Sequence, residues 1–351
     1  MALALGTLAL AFAGIGCRRE VAPHGDLSAL VAGAKALEAP PGPRRIARPT
    51  IPGTSGEALL ALGAQLASLA QSKELAERCA KTFEGEDPSA HKACALEFAG
   101  TESAFAAILR TADAERAVAP APLHPLAPTD TVSRLPRELL AFCSHARTRA
   151  LGSMRSDTKD AGLGTCARAL EVVRDFGLGG NLVAAMSVSS CIDTLAPACG
   201  RVLGGSARSA AQTFAQDLGN IEESLPGFSV IARGELFSVQ LSLCGTFLAP
   251  NDRAELGPLG QATVAMAERN KPPAMEQGLH QHLCKTGIAA ALVRDRAYQY
   301  PRGSTERERV LREGKEAIEG EKVASMDLGK YEERWEAGRT QLRELRARAQ
   351  R

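Results

Sequence analysis

Aromatic residues are scarce in this chain, whose 351 residues include one Trp, three Tyr and ten Phe. A groove that stacks sugars or nucleobases needs aromatic faces, so the composition argues against a carbohydrate-binding or base-stacking protein. An excess of one charge sign is also missing, since 42 Lys and Arg stand against 40 Asp and Glu, for a formal net charge of +2. Dedicated nucleic-acid binders usually have a basic face, so this balance argues against that class and we predict no nucleic-acid partner.

Local catalytic motifs are missing as well. The sequence contains no Gly-x-Ser-x-Gly, no phosphate-binding glycine-rich loop ending in Lys-Ser or Lys-Thr, and no His-Glu-x-x-His. A Ser-x-x-Lys pattern at Ser156–Lys159 and a Lys-Thr-Gly pattern at Lys285–Gly287 resemble those of serine β-lactamases. The second pattern falls in a predicted helix, however, whereas β-lactamase chemistry needs it on the edge strand of a sheet. An exported hydrolase is therefore an alternative only if distant residues assemble its active site.

The apolar pattern predicts an all-α protein built from helical hairpins. With 45% hydrophobic residues the chain can bury a core, and its length corresponds to two or three units or one elongated one. Apolar residues recur at helical spacings of three and four through most of the chain. Examples are Leu59, Leu62, Leu66 and Leu69 between Glu57 and Phe83, and Leu96, Phe98, Phe105 and Leu109 in a partner helix over Pro88–Thr111. Phe237–Leu243 also alternates like a strand, but an isolated strand would have no partner here, so we predict a helix there too.

The amino terminus predicts an export signal that ends in a lipid anchor. Residues 1–16 carry no charge, are mostly Ala, Leu and Gly, and are too few to span a bilayer, as in the apolar core of a signal peptide. The stretch Ala13–Cys17 resembles the lipobox of bacterial lipoproteins, which implies that Cys17 is the lipid acceptor. The resemblance places the protein in the cell envelope, on the periplasmic face of the outer membrane. An ordinary cleaved signal or a buried first helix are the alternatives.

Proline-rich segments predict the domain boundaries. Residues 36–56 contain five prolines and no amphipathic period, so we predict a lipid-anchored tether and linker over 17–56. Residues 119–130 contain four prolines and form a second predicted linker. The remaining units are then an N-terminal helical hairpin over 57–118, a main helical domain over 131–300, and charged C-terminal helices over 301–351.

Nine cysteines are the unusual feature of the composition. Apart from Cys17 they are Cys79, Cys94, Cys143, Cys166, Cys191, Cys199, Cys244 and Cys284. An even number of cysteines in an exported chain predicts disulfides, because that compartment is oxidising. Buried free thiols are the alternative.

Helical hairpins suggest two of the pairings, because antiparallel helices bring together residues equally far from the turn. Cys79 and Cys94 are centred on Glu84–Pro88, where Gly ends one helix and Asp87 caps the next. Cys166 and Cys191 are centred on Gly177–Gly180, a second helix-ending cluster. We therefore predict Cys79–Cys94 and Cys166–Cys191. The other four cysteines, Cys143, Cys199, Cys244 and Cys284, are left with three possible pairings.

One helical face has the residue types of a metal site. Glu276, His280 and Cys284 follow at i, i+4 and i+8, with His282 nearby, and such a set could hold Zn²⁺ or Cu²⁺. The favoured alternative is a disulfide-bonded Cys284 with surface histidines. No Cys-x-x-Cys occurs, and we predict neither a metal nor a cofactor. A periplasmic metal-binding protein is kept as an alternative function.

The C-terminal segment 301–351 has 13 basic and 11 acidic residues. A narrow apolar seam of coiled-coil type runs through it, formed by Leu328, Tyr331, Trp335, Gly338, Leu342, Leu345 and Ala349. Such a seam either docks a partner helix or lies along its own domain, and we favour the second.

The stretch Cys166–Cys244 resembles helix-rich exported proteins of high-GC bacteria. The similarity lies in Gly179–Met186, Leu225–Pro226 and Arg233–Glu235. The resemblance implies an all-α fold and offers no catalytic residues. We therefore expect a membrane-anchored lipoprotein that acts as a non-enzymatic binding or scaffold module, with the membrane and an envelope protein as its partners.

Overall fold

The computed structural model describes residues 23–37, 50–124, 127, 134–154, 158–269, 277–318 and 328–351. Within these ranges the fold is all-α, as predicted, apart from one short pair of strands. The predicted signal peptide, Cys17 and Glu276 lie outside the described residues.

The helices follow one another closely along the chain. In order they are α1 (Pro23–Leu37), α2 (Ser55–Ala61), α3 (Gly63–Gln71), α4 (Lys73–Glu84), α5 (Pro88–Ala99), α6 (Glu102–Arg110), α7 (Leu135–Ser153), α8 (Lys159–Gly177), α9 (Leu182–Leu203), α10 (Arg208–Ser224), α11 (Phe228–Cys244), α12 (Pro250–Ala254), α13 (Pro258–Arg269), α14 (Gln277–Tyr298), α15 (Thr305–Ile318) and α16 (Gly329–Ala349). Strands β1 (Ile51–Thr54) and β2 (Ala114–Arg116) pair in parallel, with Ile51 opposite Ala114.

Helix α9 lies at the centre of the larger of two hydrophobic cores. It packs against α7, α8 and α16, and α2 to α6 and α10 complete the surroundings. Val188, Ile192 and Leu195 of α9 are buried in this core. By length and hydropathy α9 is also the one described helix that could cross a membrane, but 67% of its most apolar window is buried inside the fold. These are the properties of a core helix.

A smaller core is formed by α1, α13, α14 and the second half of α11. Its central residues are Leu30, Phe237, Leu241 and Ile288. The first half of α11, with Phe228 and Ile231, belongs instead to the larger core. Helix α11 therefore joins the two cores, which we call the large core and the small core below.

Four disulfides link the helices. Cys79 pairs with Cys94, which confirms the hairpin prediction. Asp87 accepts hydrogen bonds from the backbone N–H groups of Ser89 and Ala90, and Pro88 takes the first helical position, as the motif predicts. The other three disulfides are Cys143–Cys191, Cys166–Cys199 and Cys244–Cys284.

The predicted Cys166–Cys191 pairing is wrong, because α8 and α9 are staggered along their axes. Cys166 lies 11 residues before the end of α8 at Gly177, whereas Cys199 lies 17 residues after the start of α9 at Leu182. The difference of six residues is an offset of about 9 Å at 1.5 Å per residue. Cys191 is thereby left opposite Cys143 of α7. Equal distance from a turn does not account for such a stagger.

The predicted hairpin over 57–118 consists of five short helices instead of the two longer helices that its apolar spacing suggests. Its first arm consists of α2, α3 and α4, and its second consists of α5 and α6. Leu59, Leu66 and Leu69 are buried as the pattern indicates. Leu96, which we placed on the buried face of the second arm, is 70% exposed.

Two of the predicted domain boundaries do not match the cores. The predicted tether 17–56 contains α1, whose Leu30, Val31 and Ala34 are buried against α11 and α14. The predicted linker 119–130 does not separate two cores either, since Leu59 on one side and Phe142 on the other belong to the large core. The main domain predicted over 131–300 is itself shared between the two cores.

The C-terminal seam packs on the chain's own helices, which is the alternative that we favoured from the sequence. Helix α16 lies against α9 and α10, and all seam residues except one are buried. The exception is Tyr331, which is 40% exposed. The Nε1–H of Trp335 donates to the carbonyl oxygen of Pro226 at 3.1 Å, and the side chain is 1% exposed.

Candidate functional site

An open cleft between α5, α6, α7 and α8 has a volume of about 610 Å³, and we call it the Arg149 cleft. Its apolar residues are Phe83, Ala95, Phe98, Ala99, Phe105, Ala106, Leu109 and Ala161. Its charged and imidazole groups are His91, Lys92, Glu102 and Arg149, and the remainder of its lining is Thr148, Gly152, Ser153, Thr158, Gly162 and Thr165. Volumes of 300–1,000 Å³ with mostly apolar walls and a few polar groups are typical of small-molecule sites.

The Arg149 guanidinium lies between two aromatic rings. Its central carbon is 4.7 Å from the centroid of Phe98 and 4.6 Å from that of Phe105. Cation–π contacts of this kind hold a guanidinium by its faces and leave its edge for hydrogen bonds. Phe98 and Phe105 are 5% and 2% exposed, so the cation is supported by a rigid part of the core.

The edge of Arg149 has polar partners from the start of α6. Its Nη2 donates to Oγ1 of Thr101 at 3.0 Å, and its Nη1 forms an ion pair with the Glu102 carboxylate. The Arg149 side chain is 15% exposed, whereas that of Glu102 is 63% exposed. Burial lowers the pKa of the Arg149 guanidinium from its ordinary value, while the Glu102 carboxylate acts in the opposite direction.

The rest of the charge lies on α5, at the wall of the cleft. Lys92 is exposed there, and His91 uses its Nε2 to bond the carbonyl oxygens of Thr82 and Gly85, at 3.0 and 3.1 Å. Because both partners are acceptors, Nε2 carries the proton and His91 ties α5 to the end of α4. Lys92 and Arg149 together with the Glu102 carboxylate contribute a net charge of +1 to the cleft.

Three hydroxyl groups around the cleft donate to backbone carbonyl oxygens. Oγ1 of Thr148 donates to Ala76, Oγ of Ser153 to Ala150 and Oγ1 of Thr165 to Ala161, at 2.7, 2.7 and 3.1 Å. A serine or threonine nucleophile needs a base within hydrogen-bond reach, and none of these contacts supplies one. The cleft therefore offers apolar contact and positive charge, which are the requirements for binding.

His145 lies below the cleft, stacked on Phe98 with a centroid distance of 5.0 Å. It is fully buried, and its Nε2 is 3.2 Å from both the Leu69 carbonyl oxygen and the Ser72 Oγ. Burial lowers the pKa of His145 to about 4, opposed by the Leu69 hydrogen bond and assisted by the charge of Arg149. The Nδ1 atom has no hydrogen-bond partner, so no acid orients this imidazole as in a catalytic triad.

Two of the alternative metal-ligand candidates have other partners. Cys284 is bonded to Cys244, and His280 donates from Nε2 to the Leu243 carbonyl oxygen at 2.7 Å. His282, two residues after His280, is exposed. Among the described residues no group of three or more His, Cys, Asp or Glu side chains could hold a metal ion. The geometry matches the disulfide alternative given for Cys284.

Sequence reasoning missed the Arg149 cleft. Phe98 and Phe105 were recognised as core positions, but Arg149 lies 44 residues after Phe105 on a different helix. The sequence contains no motif that joins them. A usable signal would have been an arginine on the otherwise apolar face of a predicted core helix, next to Ala146 and Ala150.

No protein family, curated protein or solved structure matches this chain.

Proposed function

We propose that the protein is an exported bacterial lipoprotein, held on the envelope membrane through Cys17, whose helical body is a non-enzymatic binding module. The observation that carries the proposal is the pairing of all eight cysteines between residues 79 and 284 in four disulfides. Disulfides form and persist in oxidising compartments such as the bacterial periplasm and are rare in the cytosol. The lipobox-like sequence before Cys17 supports the anchor.

The Arg149 cleft is the binding site in this proposal. The cleft combines apolar walls with a mostly buried cation, and the hydroxyl groups of Thr148, Ser153 and Thr165 donate to backbone carbonyl oxygens. The helices around it are held by three disulfides, since Cys79–Cys94 links α4 to α5, and Cys143–Cys191 and Cys166–Cys199 link α7 and α8 to α9. A site preformed in this way loses little entropy when a ligand binds.

The anchor is tested by mass spectrometry of the protein purified from its own cells. We expect the first peptide to begin at residue 17 and to have the mass of attached acyl chains. A Cys17→Ser variant lacks that mass, and the control Arg19→Ser retains it. A wild-type chain that begins elsewhere, or that has no acyl mass, would falsify the anchor.

Export is tested separately by alkylating intact cells with and without a reducing agent. We expect the eight cysteines from Cys79 to Cys284 to react only after reduction. Alkylation without reduction would place the chain in a reducing compartment and contradict the proposal. Non-reducing peptide mapping of the same samples identifies the four pairs.

A further inference from the structure

We infer that the Arg149 cleft binds a small amphipathic organic acid with a single negative charge. Its acid group contacts Arg149 and Lys92, and its apolar body lies along Phe83, Phe98 and Leu109. The inference rests on the proposed function, because it takes the chain to be a binding module, and it adds the chemical class of the ligand.

The walls of the cleft determine how much apolar surface a ligand can bury. Small residues line the cleft, including Ala95 and Ala99 on α5 and Ala161 and Gly162 on α8. Short side chains there leave room between the helices, and the aromatic side chains provide the floor. The volume of about 610 Å³ is in the range of sites that hold one small organic molecule.

The charge of the cleft selects an anion. Its net charge of +1 is complementary to one carboxylate, and Arg149 is the only one of its three charged groups that is mostly buried. A mostly buried cation needs an anionic or hydrogen-bonding partner, and Arg149 already uses Glu102 and Thr101 in this way. A cationic ligand would be repelled by both Lys92 and Arg149 and attracted only by the Glu102 carboxylate.

Glu102 marks the place of the ligand's acid group. Its carboxylate bonds the outward Nη1 of Arg149, but 63% of its side chain is exposed. The Glu102 side chain is mostly in solvent, so its carboxylate becomes hydrated when an incoming acid group replaces it at Arg149. An incoming carboxylate then takes the same edge of Arg149, and its apolar body is buried against the aromatic floor.

The test uses the full chain with Cys17→Ser, so that no detergent is needed, and isothermal titration calorimetry as the readout. The probes are octanoate, 1-octanol and octyltrimethylammonium, which share the alkyl tail and differ in charge. A fourth probe, 2-naphthoate, has a flat aromatic body with the same acid group. We expect octanoate or 2-naphthoate to bind with 1:1 stoichiometry, at least tenfold more tightly than the uncharged and cationic probes. The tighter of the two acids identifies the body as alkyl or aromatic.

Matched substitutions on α5 locate the binding site. Ala95→Trp fills the cleft and is expected to weaken binding of the acid at least tenfold. Ala93→Trp places the same side chain at an exposed position of the same helix outside the lining, and is expected to stay within twofold of the parent. The circular dichroism of both variants verifies that they are folded.

Charge substitutions test the role assigned to Glu102. Glu102→Gln removes the competing carboxylate, so we expect it to tighten acid binding severalfold. Lys92→Met weakens it, whereas Lys81→Met, an exposed lysine outside the lining, does not. Weaker binding in Glu102→Gln would overturn the placement of the acid group.

The outcomes separate this inference from the proposed function. Equal binding of octanoate and 1-octanol, abolished by Ala95→Trp, would overturn the acid as the ligand class and leave the cleft as a binding site. No binding of any probe would overturn the ligand class. Acylation at Cys17 and the disulfide state would still decide the proposed function independently.

Discussion

The two cores of this molecule differ in the number of disulfides that cross-link them. The large core has three disulfides, Cys79–Cys94, Cys143–Cys191 and Cys166–Cys199, whereas Cys244–Cys284 is the disulfide of the small core among the described residues. The large core also holds buried ionisable side chains, namely His145, Glu171, Arg174 and Asp175. Among the described residues of α1, α11, α13 and α14, Thr263 is the one buried polar side chain.

The comparison shows how cross-links allow a core to contain buried polar groups. Polar groups inside a core are unfavourable unless they are paired, and cross-links reduce the entropy of the unfolded chain that opposes folding. The large core combines both features and carries the cleft, so its cross-links support the part of the molecule that buries Arg149. The small core depends on α11, the helix that it shares with the large core.

The largest expected effect concerns the attachment of α16 to the large core. Trp335→Ala should lower the free energy of unfolding by about 4–5 kcal/mol, since it leaves a cavity and removes the hydrogen bond to Pro226. Tyr331→Ala, on the exposed side of the same helix, should cost less than about 1 kcal/mol. Urea unfolding followed by circular dichroism measures both values. Equal effects would mean that α16 is not part of this core.

The disulfides provide a direct comparison of the two regions. The loops closed by Cys143–Cys191 and Cys244–Cys284 span 48 and 40 residues, so removing either bridge with a double alanine variant should cost about 4 kcal/mol. Two further bridges remain in the large core after the first change. We therefore expect new proteolytic cleavage within 237–288 for Cys244→Ala/Cys284→Ala. Cleavage of Cys143→Ala/Cys191→Ala within α7 to α9, without cleavage of Cys244→Ala/Cys284→Ala within 237–288, would mean that the large core depends more on its disulfide than the small core does.

The buried imidazole predicts a pH dependence that belongs to the large core. His145 has its pKa lowered to about 4 in the folded protein, against about 6.5 unfolded, so between these values only the unfolded chain takes up the proton. The stability contributed by neutral His145 is complete above pH 6.5 and decreases as the pH falls towards 4, by about 3 kcal/mol in total. His145→Gln should flatten this part of the curve. Urea unfolding at pH 4.5 and 7 tests it, and an unchanged slope in the variant would contradict the assignment.

The smallest expected effect concerns helix capping. Helices α5 and α9 of the large core begin with side-chain caps from Asp87 and Asn181, whereas α12 follows Ala249, which provides none. Asp87→Ala should cost about 1 kcal/mol. Ala249→Asp places an Asp before Pro250, as at the start of α5. It should cap α12 and raise the free energy of unfolding by up to about 1 kcal/mol. Thermal unfolding compares the two variants, and a loss of stability in Ala249→Asp would contradict the expectation.

Local patterns were predicted well and long-range placement was not. The turn Glu84–Pro88 was predicted together with its cap, because both depend on a few consecutive residues. The burial of Leu328, Trp335 and Leu342 followed from their spacing. The tether over 17–56 was misjudged in part, because α1 is a helix whose apolar residues become buried only through contact with α11 and α14.

The cleft was beyond sequence reasoning for the same reason. Its floor joins Phe83, Phe98, Phe105 and Arg149 from four different helices. Each of them is consistent with an ordinary helical position, and only the packing of α4 to α7 brings them together. The metal alternative rested on the helical spacing of neighbouring residues, whereas Cys284 is bonded to Cys244 on α11.

The sequence by itself determined the all-α class, the need for disulfides and the Cys79–Cys94 pair, because helical periodicity and a short capped turn are properties of neighbouring residues. The tertiary structure alone decided that Cys166 meets Cys199, that α11 serves two cores, and that Arg149 lies between two phenylalanine rings. These features depend on the stagger between packed helices, and a shift of about two helical turns presents much the same face to a neighbour.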